Sequence, residues 1–159
     1  MTPEERGKMI EAYGGAYTML VHALAKFPRE MWQYRPDPYI WSVHEIVVHI
    51  ADSEANSYVR CRRLVAEPGS PVLGYDEVKW AVDLHYHQQS PEDALELFRW
   101  LRQKTYLLIR DLPETVWAHT VEHSEVGRMT MEDWLQTYTQ HIPDHIRQMQ
   151  SNYARWIAS

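Results

Sequence analysis

Hydrophobic positions recur every three to four residues through most of the chain, and nowhere do they alternate at period two for long enough to mark a half-buried strand. The first periodic run extends from about Pro3 to Phe27, with Ile10, Tyr13, Tyr17, Leu20, Leu24 and Phe27 on one face. Pro28, Pro36 and Pro38 end it and fill a linker, and His22 falls off the apolar face toward solvent. A second run opens on Ser42-Val43-His44-Glu45, a capping box in which hydroxyl and carboxylate satisfy orphan backbone donors, and reaches about Ala66. The stretch Glu67-Pro68-Gly69-Ser70-Pro71 breaks it, and a short helical piece from Tyr75 to about Leu84 leads onward. The third long run has Ser90 as cap and Pro91 at its first position, carries Leu95, Phe98, Leu101, Leu108 and Leu112, and stops at Pro113. Residues from about Pro113 to Met129 show no periodicity and read as a long connection over one end of the molecule. The fourth run begins at Thr130 with Asp133 in its first turn and continues to the C-terminus. These elements predict an all-α four-helix bundle with a short extra helix and a long loop before the last helix, forming one domain over residues 1–159. Whether it is up-and-down or contains crossovers depends on how the two longer connections travel.

The last helix departs from a plain amphipathic pattern. Its inner stripe contains Trp134, Leu135, Tyr138, Ile142, Met149, Tyr153 and Trp156, and His141 and His145 fall within it. A buried imidazole nitrogen without a partner costs about 1–3 kcal/mol, so an inward pair implies either a metal ion or hydrogen bonds from the core. The same four-residue spacing occurs at His119 and His123, between Pro113 and Gly127, where no helical period makes the two side chains face one way. Pro143 lies between His141 and His145 and removes the bond to the Thr139 carbonyl, at a cost of about 3 kcal/mol. Because the stripe stays in phase from Met131 to Trp156, one kinked helix is predicted rather than two.

A catalytic zinc site takes three protein ligands and keeps a fourth position open, which asks for a third histidine. On the second helix His49, Ser53, Asn56 and Arg60 form a polar line along the edge of the stripe made by Val43, Ile46, Ile50, Cys61 and Leu64. Such a flank lines either a groove or an ordinary core boundary. Read as a groove, it makes Ser53, Asn56 and Arg60 a pocket wall, with Arg60 facing an anionic group and Tyr138 approaching from the opposite helix. Glu54 points into the apolar stripe and must be paired. It either joins Asp52 in orienting the His49 ring or bonds a Tyr or Trp from another helix.

The length suffices for a core that needs no disulfide or metal merely to fold, and the single cysteine, Cys61, reads as a buried inert thiol. With no membrane-spanning apolar run and no charged-then-apolar leader, a soluble cytoplasmic protein without a membrane partner is expected. Net charge is −6 and the only basic cluster is Arg60, Arg62 and Arg63, which disfavours nucleic acid. Seven Trp and ten Tyr against two Phe suit pocket walls and interfaces as well as a core of large side chains.

Three stretches then resemble one family: Trp41-Ser42-x-x-Glu45-x-x-x-His49-x-Ala51-Asp52-Ser53, Tyr75-Asp76-Glu77-x-x-Trp80-Ala81, and His141-x-x-x-His145, in that order. Together they are similar to the DinB/YfiT-like superfamily of metal-binding four-helix bundles, above all to its YfiT-type branch of metal-dependent hydrolases and bacillithiol S-transferases. The resemblance implies a divalent ion held by His49, His141 and His145, with zinc first and nickel or another divalent ion next. It also implies a small-molecule substrate and a homodimer, in which the aromatic surplus would meet an interface. Thiol S-transfer with a low-molecular-weight thiol cosubstrate is the first expected chemistry and hydrolysis by water the second. No Ser/His/Asp signature, Gly-rich phosphate loop or dinucleotide fingerprint competes. A non-catalytic metal-binding or structural bundle is the expectation from a different class.

Overall fold

Local chemistry at the helix ends explains where each element starts. The computed structural model describes all residues, Met1–Ser159, and contains five α-helices: α1 (Pro3–Leu24), α2 (Val43–Ala66), α3 (Glu77–Asp83), α4 (Pro91–Ile109) and α5 (Met131–Trp156). Capping boxes close the N-termini of α1 (Thr2 with Glu5), α2 (Ser42 with Glu45) and α5 (Thr130 with Asp133), while Asp76 and Ser90 cap α3 and α4. α5 is unbroken through Pro143, because its apolar face is held by the core on both sides of the lost bond. His22 is exposed, and Cys61 is buried with its thiol pushed up to about 12 by that burial.

The helices do not pack in chain order. α1 packs against α4 and α5, and α2 packs against the same two. Consecutive helices of each pair, α1 with α2 and α4 with α5, therefore face one another across the bundle diagonal. The connections at 25–42 and 110–130 are the crossovers this arrangement requires.

The segment from Pro113 to Met129, expected as a plain loop, is more ordered than its sequence pattern suggests. After a 3-10 turn at Glu114–Ala118 it forms β2 (Thr120–His123) and β3 (Gly127–Thr130), an antiparallel hairpin in which Gly127 takes φ 74°. β1 (Pro71–Val72) adds to β2 in parallel, giving the sheet order β1-β2-β3. Val121 and Met129 are the inward positions of the hairpin and are buried against the Trp134 end of the core. The second histidine pair is used locally here: His119 Nδ1 lies 2.9 Å from the Leu64 carbonyl, and His123 Nδ1 accepts from the Glu125 amide at 3.2 Å.

The interior absorbs much of the aromatic surplus. Trp32, Trp117, Trp134, Tyr13, Tyr86 and Tyr138 are buried, while Trp100 and Tyr39 are exposed. No helix is long and apolar enough to cross a membrane.

Candidate metal centre

In the second turn of α2, where it faces α5, the core changes from aliphatic to imidazole. The α2 ring of His49 and the α5 rings of His141 and His145 offer one nitrogen each, all within 4.8 Å of one another. His141 Nε2 and His145 Nε2 are 3.0 Å apart, and the ring centroid of His49 lies 5.5 Å and 4.8 Å from those of His141 and His145. The four-residue spacing on α5 puts His141 and His145 on one face, one turn apart, and the diagonal-skipping topology brings α2 opposite them.

Burial keeps the rings uncharged. His49 falls to about 3, first through burial and then through the nearby His145. His141 falls to about 2 for the same leading reason, and burial lowers His145 as well, against the opposing influence of Gln148. Neutral imidazoles are the protonation state a metal requires.

The arrangement fits a divalent ion better than a closed hydrogen-bond network. The Nδ1 of His49 is buried with no hydrogen-bond partner. Gln148 Oε1, as oriented, accepts the Nδ1 proton of His145 at 2.8 Å and so leaves the Nε2 lone pair facing His141. Three nitrogens around one tetrahedral ion at about 2.0–2.1 Å stand roughly 3.4 Å apart, a spacing between the 3.0 Å contact and the 4.8 Å limit seen here.

Around the triad, the side chains expected as a pocket wall take specific places. Ser53 Oγ lies 3.4 Å from His141 Nε2. Arg60 donates to the Tyr138 hydroxyl at 2.7 Å and to the Leu73 carbonyl at 2.6 Å, so both of these bonds would have to loosen before it met an anion. Asn56 donates to the Asp52 carbonyl one turn back and, with Arg60 and Trp80, lines a cleft of about 590 Å³. The Tyr138 ring is 6.2 Å from that of His141.

The two carboxylates expected behind His49 are elsewhere. Glu54 accepts from the Tyr13 hydroxyl at 2.6 Å and from Arg102 Nη2 at 2.6 Å, all three being almost fully buried, so its first duty is to neutralise a guanidinium inside the core. Asp52 accepts from the Tyr86 hydroxyl at 2.6 Å. Neither touches an imidazole. What does touch them is Gln148 on His145 and Trp41, whose ring centroid is 4.7 Å from that of His49. Gln148 sits three residues after His145, a helical neighbour that spacing alone could have flagged. Trp41 precedes the N-cap of α2, the usual place for a hydrophobic staple. Tyr75, packed on Trp80 at 4.5 Å, has a buried hydroxyl without a partner, which burial pushes far above the usual phenol range.

Comparison with known proteins identifies the family and the fold. A model described as the DinB superfamily matches residues 12–149. A protein of Oceanobacillus iheyensis named "putative metal-dependent hydrolase" is 30% identical over 111 residues, covering 70% of this chain and 64% of the relative. YfiT of Bacillus subtilis carries the same designation and is 29% identical over 107 residues, 67% of this chain and 60% of YfiT. The chain thus matches less than two thirds of the length of these two relatives. A Bacillus cereus protein so designated is 28% identical over 147 residues, 87% of this chain and 82% of its own length. Among solved structures, YfiT from Bacillus subtilis, described as having "an unusual four-helix bundle topology", superposes with a TM-score of 0.90 at 24% identity, covering 98% of this chain and 90% of the other.

Proposed function

The chain belongs to the DinB superfamily, and from that premise we propose a metal-dependent enzyme. In this reading His49, His141 and His145 hold one zinc-type divalent ion, and a low-molecular-weight thiol is transferred to an electrophilic carbon. Three neutral imidazoles converging in a buried layer, one of them with an orphaned nitrogen, carry this reading. A divalent ion held there supplies uncompensated positive charge that lowers the pKa of a thiol or water brought to it.

The chain's own groups do the rest. Gln148 fixes the tautomer of His145, and Trp41 packs against His49. Burial favours the neutral, singly protonated form of all three rings at neutral pH. The Tyr138 hydroxyl accepts from Arg60 and keeps its own proton available to donate to a group above His141. Ser53 presents a second hydroxyl on the same side.

Thiol transfer is preferred over hydrolysis on one observation: Asp52 and Glu54, the carboxylates next to His49 in sequence, are bonded to Tyr86 and to Tyr13 and Arg102, so neither is free to serve as a general base. A water attacking an ester or amide benefits from a placed general base, whereas a thiolate attacks carbon without one. Hydrolysis is the second reading, supported by the names its relatives carry. Incubating metal-loaded protein with an electrophile panel, with and without a small thiol, tests the choice. Metal-dependent thioether formation supports transfer. Product release from esters or amides without thiol supports hydrolysis, and turnover in neither assay removes the enzymatic reading.

A homodimer with one metal site inside each bundle belongs to the same proposal. Leu97, Trp100 and Leu107 are exposed on the outer side of α4 and support an interface there. Light scattering at micromolar concentration should give twice 18.9 kDa, and the monomer mass would refute it.

A further inference from the structure

A second cleft, of about 780 Å³, lies apart from the one lined by Arg60. It lies between the linker that precedes α2, the outer side of α3 and the last turns of α5. Its walls are apolar, with Ile40, Trp41, Val78 and Val82 among them, and a cavity of this size takes an organic molecule of ordinary metabolite dimensions. Two arginines, Arg35 and Arg155, line it, and no aspartate or glutamate does, in a chain whose net charge is −6. Arg35 is already committed, since its guanidinium is paired with the buried carboxylate of Glu45. Arg155 is exposed at the rim, and its guanidinium makes no ion pair or hydrogen bond within the chain.

Two further lining residues tie the cleft to the histidines. Trp41 packs on His49, and its carbonyl accepts from the buried Asn152 side chain at 2.8 Å. Gln148 accepts from His145. A molecule seated in the cleft is thus one side chain away from two members of the triad.

We propose that this cleft is a binding site for an organic carboxylate with an apolar body, its carboxylate on Arg155 and its body against Trp41, Val78 and Val82. An unpaired guanidinium over an apolar wall selects for that combination, because a charge-assisted bond at one end and apolar burial along the rest are both supplied. The proposal stands on the cleft and does not depend on the chemistry of the triad.

The test uses the full chain, metal-free and zinc-loaded, titrated with 4-phenylbutyrate and with the uncharged 4-phenylbutan-1-ol while the indole N–H signals are followed by NMR. The carboxylate should bind about tenfold more tightly than the alcohol in both forms of the protein. Arg155→Ala, a change at an exposed position, should erase that preference and leave the alcohol's affinity unchanged. Val82→Trp, which fills the cleft from its exposed side, should weaken both ligands at least about tenfold, with circular dichroism confirming the fold. Equal affinities in the parent, a preference that survives Arg155→Ala, or binding indifferent to Val82→Trp would each overturn the proposal. So would the absence of binding by either probe up to about 10 mM, since a ligand of this size in a fitting pocket reaches low-millimolar affinity.

Discussion

Two polar clusters are buried along α2 within about a turn and a half of each other, and they are built on opposite principles. Around Glu54, every charge has its counter-charge: Arg102 bonds the carboxylate, Tyr13 donates to it, and Arg102 also reaches the carbonyls of Tyr13 and Tyr138. Around His49 there is no charge at all, no carboxylate, an orphaned Nδ1, and two Nε2 atoms facing each other at 3.0 Å. In the first cluster the charges are paired, with only Arg102 Nε left without a partner, and it ties α1, α2, α4 and α5 together. The second gathers ring nitrogens whose nearest partners are one another and the Ser53 hydroxyl, with His49 Nδ1 left over. A buried polar group is expensive when unmatched, so the second arrangement makes physical sense as a ligand site and the first as structure.

The sharpest way to break this contrast is to remove one partner from the charge-paired cluster. Glu54→Leu leaves the Arg102 guanidinium buried and unpaired, and it should cost about 3–5 kcal/mol in urea denaturation, with metal uptake by the folded fraction unchanged. The histidine cluster should behave in the reverse manner. Chelating the ion from the parent should lower stability by about 3–4 kcal/mol where the ion had been present at some hundreds of times its dissociation constant. In His49→Phe the chelator should make no difference to the melting curve.

A smaller effect is expected at Gln148. Its loss frees the His145 tautomer, and Gln148→Leu should reduce metal affinity about 10- to 100-fold in a competition titration against a chromogenic chelator, with little change in metal-free stability. The smallest is the acid sensitivity of the metal-free protein. His49 has its folded pKa lowered to about 3 and an unfolded value near 6.5, so the unfolded state binds the extra proton. Its stabilising contribution is full above about pH 6.5 and is lost as pH falls toward the folded value. Between about pH 7.5 and 5.5 that amounts to about 1 kcal/mol, which His49→Phe should abolish in melting experiments.

How much of this was legible beforehand differs between the two clusters. The helices and their starts were readable because capping residues and apolar periodicity act locally, at Ser42, Ser90 and Thr130 alike. His141 and His145 were readable as candidates because imidazoles stand out in an apolar stripe, and His49 stood on the polar flank of α2, where the family resemblance strengthened its choice. The partner of Glu54 was not readable. Arg102 meets it only because α4 lies beside α2 and diagonal to α5, and periodicity is silent about which helices become neighbours. Tyr86, the partner of Asp52, comes from a short 3-10 turn for the same reason. The β2–β3 hairpin escaped because strands of four residues, with one or two inward side chains each, are too short to establish a period.

The division between a charge-paired cluster and an uncharged one is tested most directly by metal content. Untagged protein, freshly purified without chelators, should contain about one divalent ion per chain by plasma mass spectrometry. The ion should be lost in His141→Ala and in His145→Ala and retained in folded Glu54→Gln. A parent protein without stoichiometric metal, or a histidine variant that keeps it, would contradict the account.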